Sequence, residues 1–153
     1  MTHPNSRKPG SSGKNSKSAD NGKDLEAMEL NIALSTDDLI RGLKHYRRIA
    51  RQDLLQAAES ADSERITLHA ESRREIYSHL AELADSEPAS EVVREALRLY
   101  QNLPFVTGTP EDRFADIKGR ENALENFFLM INLEPKIRRS VRSQRSKLTD
   151  AEA

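Results

Sequence analysis

Apolar residues recur at helical intervals along most of the chain beyond residue 34. Leu39, Leu43, Tyr46, Ala50, Leu54 and Ala57 share one face of a rod with about 3.6 residues per turn. Ser35 or Thr36 supplies an N-cap, and Asp37 and Asp38 suit the positive end of the helix dipole. A first helix is therefore expected to run from there to about Ser60. A second stripe, Ile66, Ala70, Ile76, Tyr77, Leu80, Leu83 and Ala84, predicts a helix from about Ser63 to Asp85. At ~100° per residue the two stripes are out of phase by roughly 130°, so one continuous rod could not face one core with both. A break at Ala61-Asp62-Ser63 turns the pair into an antiparallel hairpin.

Pro88 marks the next joint. Val92, Val93, Ala96, Leu97, Leu99, Tyr100 and Leu103 give a wide apolar arc over a third helix, Ala89 to Asn102, which stops ahead of Pro104. The connection 103–108 is unusually apolar for a loop. Its Phe105 and Val106 are expected either to pack on a helix end or to meet a partner. Thr109-Pro110-Glu111-Asp112 reads as the start of a fourth helix, with stripe residues Phe114, Ile117, Leu124, Phe127, Phe128 and Ile131. Residues 127–131, which include Met130, are apolar without interruption. Five consecutive residues cover every side of a helix, so this stretch belongs at the centre of the bundle or in a homodimer interface. After Pro135, Ile137 and Val141 anchor a short basic helix. Residues 24–34 fit either a short helix or an extended segment.

These elements make an all-α fold: an antiparallel bundle of about four helices over residues 24–135. A disordered tail is expected at 1–23, which is rich in Ser, Gly, Asn, Pro and Lys, and a basic Arg/Ser-rich segment at 136–153. Glycine and proline, six of each among 153 residues, cluster in the tails and joints, while Gly42 falls inside the first predicted helix. A Gly42 cost of ~1 kcal/mol relative to Ala is tolerable where another helix crosses closely.

Charge changes the picture more than composition does. The net value of −1 hides +4 in residues 1–23, −9 in residues 24–135 and +4 in residues 136–153. Within the acidic body, Arg41, Lys44, Arg47, Arg48 and Arg51 line the face of the first helix opposite its apolar stripe, and no acid falls between Asp38 and Asp53. Interhelical pairing with Glu75, Glu82 and Asp85, or with the later Glu87, Glu91 and Glu95, or else plain solvation, is the expected use of this row. Contact with a polyanion or an acidic partner is the other. Arg138, Arg139, Arg142 and Arg145 extend the candidate polyanion contacts, and Arg138-Arg139-Ser140-Val141 makes Ser140 a candidate phosphorylation site.

Cysteine is absent, which excludes disulfides, thiolate metal sites and thiol nucleophiles. His45, His69 and His79 complete no Glu-x-x-His pair, and Glu75 with His79 reads as a surface ion pair. His3 could clamp copper or nickel only with a free amino terminus, so no metal and no cofactor is expected. There is no Gly-x-Ser-x-Gly turn and no Gly-rich phosphate loop. With no apolar run of membrane-spanning length, a cytoplasmic protein off the membrane is expected. The leading functional expectation is a non-enzymatic adaptor or assembly subunit, a homodimer among its forms, whose partner surface is Phe105, Val106, Phe127, Phe128, Met130 and Ile131. The alternative is a nucleic-acid-associated protein that grips phosphates nonspecifically through the arginines.

Overall fold

The computed structural model of the protein describes residues 25–106 and 114–148. The chain divides between Leu30 and Asn31. Of the first unit, residues 25–30 are described: a helical turn at 25–27, then irregular chain. The expectations for residues 1–23, His3 included, lie outside the described residues. The alternation of Met28, Leu30, Ile32 and Leu34 forms no strand.

The second unit is all-α. Its elements in order are α1 (Thr36–Ala57), α2 (Ser63–Ala84), α3 (Ala89–Asn102), β1 (Phe105–Val106), α4 (Ala115–Met130), α5 (Pro135–Arg142) and β2 (Lys147–Leu148). Ser35 caps α1, its Oγ accepting from the Asp38 amide at 3.1 Å. α1 ends three residues before the expected Ser60, and residues 58–62 turn the chain back. Asp53 then meets Arg73, and Tyr46 stacks on Tyr77 with ring centroids 5.4 Å apart. Descending numbers on one helix match ascending numbers on the other, so α1 and α2 run antiparallel.

α4 lies against both members of the hairpin. It runs parallel to α2: Gly119 abuts His69 and Ser72, Arg120 meets Glu75, and Asn126 donates to the Tyr77 hydroxyl at 3.1 Å. Its far end reaches α1, where Met130 fills the space a Cβ on Gly42 would take. The two glycines thus have the same cause, a neighbouring helix pressed against bare backbone. α3 closes the bundle with Val92, Val93, Ala96, Leu97 and Tyr100 buried, and Tyr100 meets Phe128 edge-on at 5.2 Å.

Two boundaries differ from the sequence reading. Phe114 has φ 60°, in the left-handed region, so no helix runs unbroken from Pro110 into Ala115. The Thr109-Pro110 start signal lies outside the described residues, and the described part of α4 begins at Ala115. At its other end α4 stops in a Schellman motif. The Leu133 amide donates to the Phe128 carbonyl at 2.9 Å and the Asn132 amide to Leu129 at 3.1 Å, with Asn132 at φ 56°. Pro135 then opens α5, which ends at Arg142, and the chain returns through a two-residue parallel bridge. Phe105 pairs in register with Lys147, and Val106 with Leu148. That small ladder was not anticipated.

The two helix crossings predict opposite responses to the same substitution. On Gly119→Ala, the new Cβ would lie 2.5 Å from the His69 carbonyl oxygen, which is backbone and cannot step aside. Stability in urea should fall by about 1–2 kcal/mol despite the better helix propensity of alanine. On Gly42→Ala the obstacle is the flexible end of Met130. The same measurement should find a change near zero or a gain of up to about 1 kcal/mol.

Candidate interaction surfaces

Burial of Leu39, Leu43, Ala50 and Ala57 fixes the rotation of α1 about its axis. That rotation carries Lys44, Arg48 and Arg51 outward and exposed, with Arg47 half-buried at the margin. Arg41 binds Asp38 one turn back at 2.7 Å, and its side chain is 75% exposed. Among the described residues, the side chains of Lys44, Arg47, Arg48 and Arg51 make no hydrogen bond or ion pair. The expected pairing with the acids of α2 and α3 is not formed. Glu75 faces Arg120 of α4 at 3.5 Å, Glu91 binds Arg94, and Glu95 binds both His79 at 2.8 Å and Arg98 at 3.3 Å. His79 therefore pairs across to α3 and not with Glu75. The physical reason is angular: the stripe that docks α1 turns the basic row away from α2. The hairpin is instead bridged by Asp53 and Arg73 at 2.7 Å, and the Arg73 Nε donates to His69 Nδ1 at 3.1 Å. The basic row ends in an apolar residue, Leu55, which is 68% exposed.

The expected partner surface on the fourth helix is closed. Phe127, Phe128 and Ile131 are buried within the single chain, and Met130 is half-buried against Gly42. Of the five-residue run only Leu129 faces outward. The run resolves as bundle centre because α1, α2 and α3 all converge on this end of α4. Phe105 and Val106 are half-buried, and two guanidinium groups lie over the Phe105 ring, Arg142 at 4.9 Å and Arg145 at 4.2 Å from its centroid.

Arg145 is the largest departure from the sequence reading. It was grouped with the polyanion contacts, yet its side chain is 1% exposed. Its Nε donates to the Leu103 carbonyl at 2.8 Å, Nη2 to the Pro104 carbonyl at 3.0 Å, and Nη1 to Glu121 at 2.8 Å. The guanidinium carbon lies over two rings, 4.8 Å from the Tyr100 centroid and 4.2 Å from that of Phe105. The fork of an arginine can satisfy two carbonyls and a carboxylate at once, which a lysine cannot do. The carbonyls it captures sit where α3 ends ahead of Pro104. Gln101 Nε2 adds a bond to Gln144 at 2.6 Å. Arg139, Arg142 and Ser140 stay exposed, and Arg138 is half-buried beside Leu133 and Pro135. Nothing in the Arg-Ser periodicity distinguishes Arg145 from Arg139 or Arg142. Only the long-range placement of Leu103 and Glu121 does.

For chemistry the site offers little. Among the described residues no group of three or more His, Asp or Glu could hold a metal ion. A depression of about 640 Å³ lies open along the outer face of α2, lined by Glu71, Arg74, Glu75, Ser78, His79 and Glu82. No helix among the described residues is long and apolar enough to cross a membrane. Comparison with family models, curated proteins and solved structures finds no match to this chain.

Two tyrosines carry shifted pKa values. Burial pushes the Tyr100 phenol up to about 12, helped by its hydrogen bond to Glu125 (2.7 Å) and by that carboxylate's charge. Burial also raises Tyr77, against the opposing hydrogen bond from Asn126.

These contacts have measurable consequences. Arg145→Ala leaves Glu121 and two carbonyls without their donor, and because Glu121 is partly exposed the expected loss is about 2–4 kcal/mol in chemical denaturation. Arg145→Lys should recover only part of that loss. Each phenol is neutral in its stabilised form and has a folded pKa above the unfolded value of 10.0. The Tyr100 contribution is therefore complete below pH 10 and is lost as pH rises through about 12, and the Tyr77 contribution is lost in the same direction above pH 10. The urea midpoint should fall across that window, less steeply in Tyr100→Phe than in the wild type.

Proposed function

We propose that the protein is a non-enzymatic interaction protein, an adaptor or assembly subunit, that engages an acidic partner through the basic face of α1. The observation that carries this reading is the row Lys44, Arg47, Arg48 and Arg51, cations without a side-chain partner among the described residues. Such a row makes no hydrogen bond or ion pair among the described residues, while a charged face of this kind selects partners and speeds their encounter. The apolar interior supplies no competing surface, since Phe127, Phe128 and Ile131 are used up within the chain.

A phosphate backbone would satisfy the same cations, but two observations favour protein. Residues 24–135 carry thirteen Lys/Arg against twenty-two Asp/Glu, which repels a long polyanion on approach. The row is also continued by exposed Leu55, which has nothing to gain from phosphate. Removal of Arg145 from the surface further thins the arginine cluster that a nucleic-acid reading would recruit.

The test is affinity capture from the native host with wild-type protein and with Lys44→Glu/Arg48→Glu/Arg51→Glu, partners being identified by mass spectrometry. All three positions are exposed, so stability should change by no more than about 0.5 kcal/mol per site. Loss in the variant of partners carrying acidic segments is the expected result. An unchanged partner set would overturn the reading, and bound nucleic acid in place of protein would select the alternative.

A further inference from the structure

The outer face of α2 carries a row complementary to the basic row of α1. Leu68, Glu71, Glu75, Ser78 and Glu82 follow one another at spacings of three, four, three and four, a single seam along the exposed side of α2. On α1, Arg41, Lys44, Arg48, Arg51 and Leu55 span the same fourteen residues, about 21 Å or four turns, and in the antiparallel direction the two rows stay in register to within one residue. Laid antiparallel, Leu55 meets Leu68, Arg51 meets Glu71, Arg48 meets Glu75, Lys44 meets Ser78, and Arg41 meets Glu82. The two leucines are exposed, 68% and 43%, and both fall at the same end of the seam. Glu71 and Glu82, like Arg48 and Arg51, have no ion-pair partner among the described residues. Glu75 and Arg41 are paired with the partly exposed Arg120 and the exposed Asp38, in bonds that are weak in water and can be shared.

Within one chain the two rows do not meet, because α1 and α2 are joined through their Asp53–Arg73 and Tyr46–Tyr77 sides. We infer that the acidic partner of the α1 face is the outer face of α2 on a second copy of this chain, docked antiparallel as a helix pair. The inference rests on the proposed role of the basic face and names its occupant. The contact is heterologous: each copy offers α1 to one neighbour and α2 to another, so it builds head-to-tail assemblies. A single four-turn helix pair lies at the small end of stable interfaces, so association should be weak, salt-sensitive and visible at about 0.1–1 mM protein.

Sedimentation velocity of the full chain at low and high salt tests this with two variants, Arg48→Ala/Arg51→Ala and Glu71→Ala/Glu82→Ala. The wild type should gain mass with concentration at low salt and lose it at high salt. Each variant alone should weaken self-association at least tenfold, and an equimolar mixture of the two should form a 1:1 complex, since each supplies the face the other lacks. Wild-type protein monomeric at 1 mM and low salt would overturn the inference, as would variants that fail to complement. If capture from the host still depends on Lys44, Arg48 and Arg51 in that event, the basic face serves a foreign acidic partner and only the self-assembly falls. If neither dependence is found, both readings fall together.

Discussion

The organising constraint is the uninterrupted apolar run at the C-terminal end of α4. A helix that is apolar on every side cannot be satisfied by one neighbour. Phe127, Phe128 and Ile131 are buried only because three other helices arrive at the same place. α1 brings Gly42 against Met130, α2 brings Tyr77 with its bond from Asn126, and α3 brings Tyr100 edge-on to Phe128. The hairpin geometry, the glycine at the crossing and the aromatic contacts all serve that enclosure. Its by-product is a division of labour. The apolar surface is spent inside, and the outward faces of α1 and α2 are left with opposite charge and little structural duty.

Much of this was legible in the sequence because local rules and tertiary packing agreed. The stripes of α1 and α3 named the buried residues closely, the phase change at residues 61–63 located the hairpin turn, and Gly42 marked a close approach. The reading failed where long-range placement decided the outcome. Phe114, read as part of the fourth helix's stripe, instead stands left-handed just ahead of Ala115, where the described part of α4 begins. Asn132, the residue best suited to the left-handed C′ position after Gly, was the available cue for the end of α4. The pairing of the basic row could not be read from charge alone, since it depended on which way the buried stripe turned the helix. Of the candidate site, then, the cations of α1 were legible as a surface. The apolar partner surface was not, because periodicity cannot tell a bundle centre from an interface.

Arg145 shows how a charged residue becomes part of a core without being orphaned there. All three of its bonding nitrogens find oxygen, two of those oxygens are backbone, and the guanidinium lies over the rings of Tyr100 and Phe105. It finishes what Pro104 leaves open, since the carbonyls at the end of α3 have no continuing helix to bond them. The parallel bridge between residues 105–106 and 147–148 has the same office for the backbone beyond.

The distribution of the three tyrosines has a spectroscopic corollary. With no tryptophan in the chain, ultraviolet emission comes from Tyr46, Tyr77 and Tyr100 alone. Two of them are stacked across the hairpin, and the third donates its hydroxyl hydrogen to a carboxylate, an arrangement that drains the excited state. The folded molecule should therefore be dim, and each opening of the hairpin or of the α3–α4 joint should announce itself as an increase in light without any label attached.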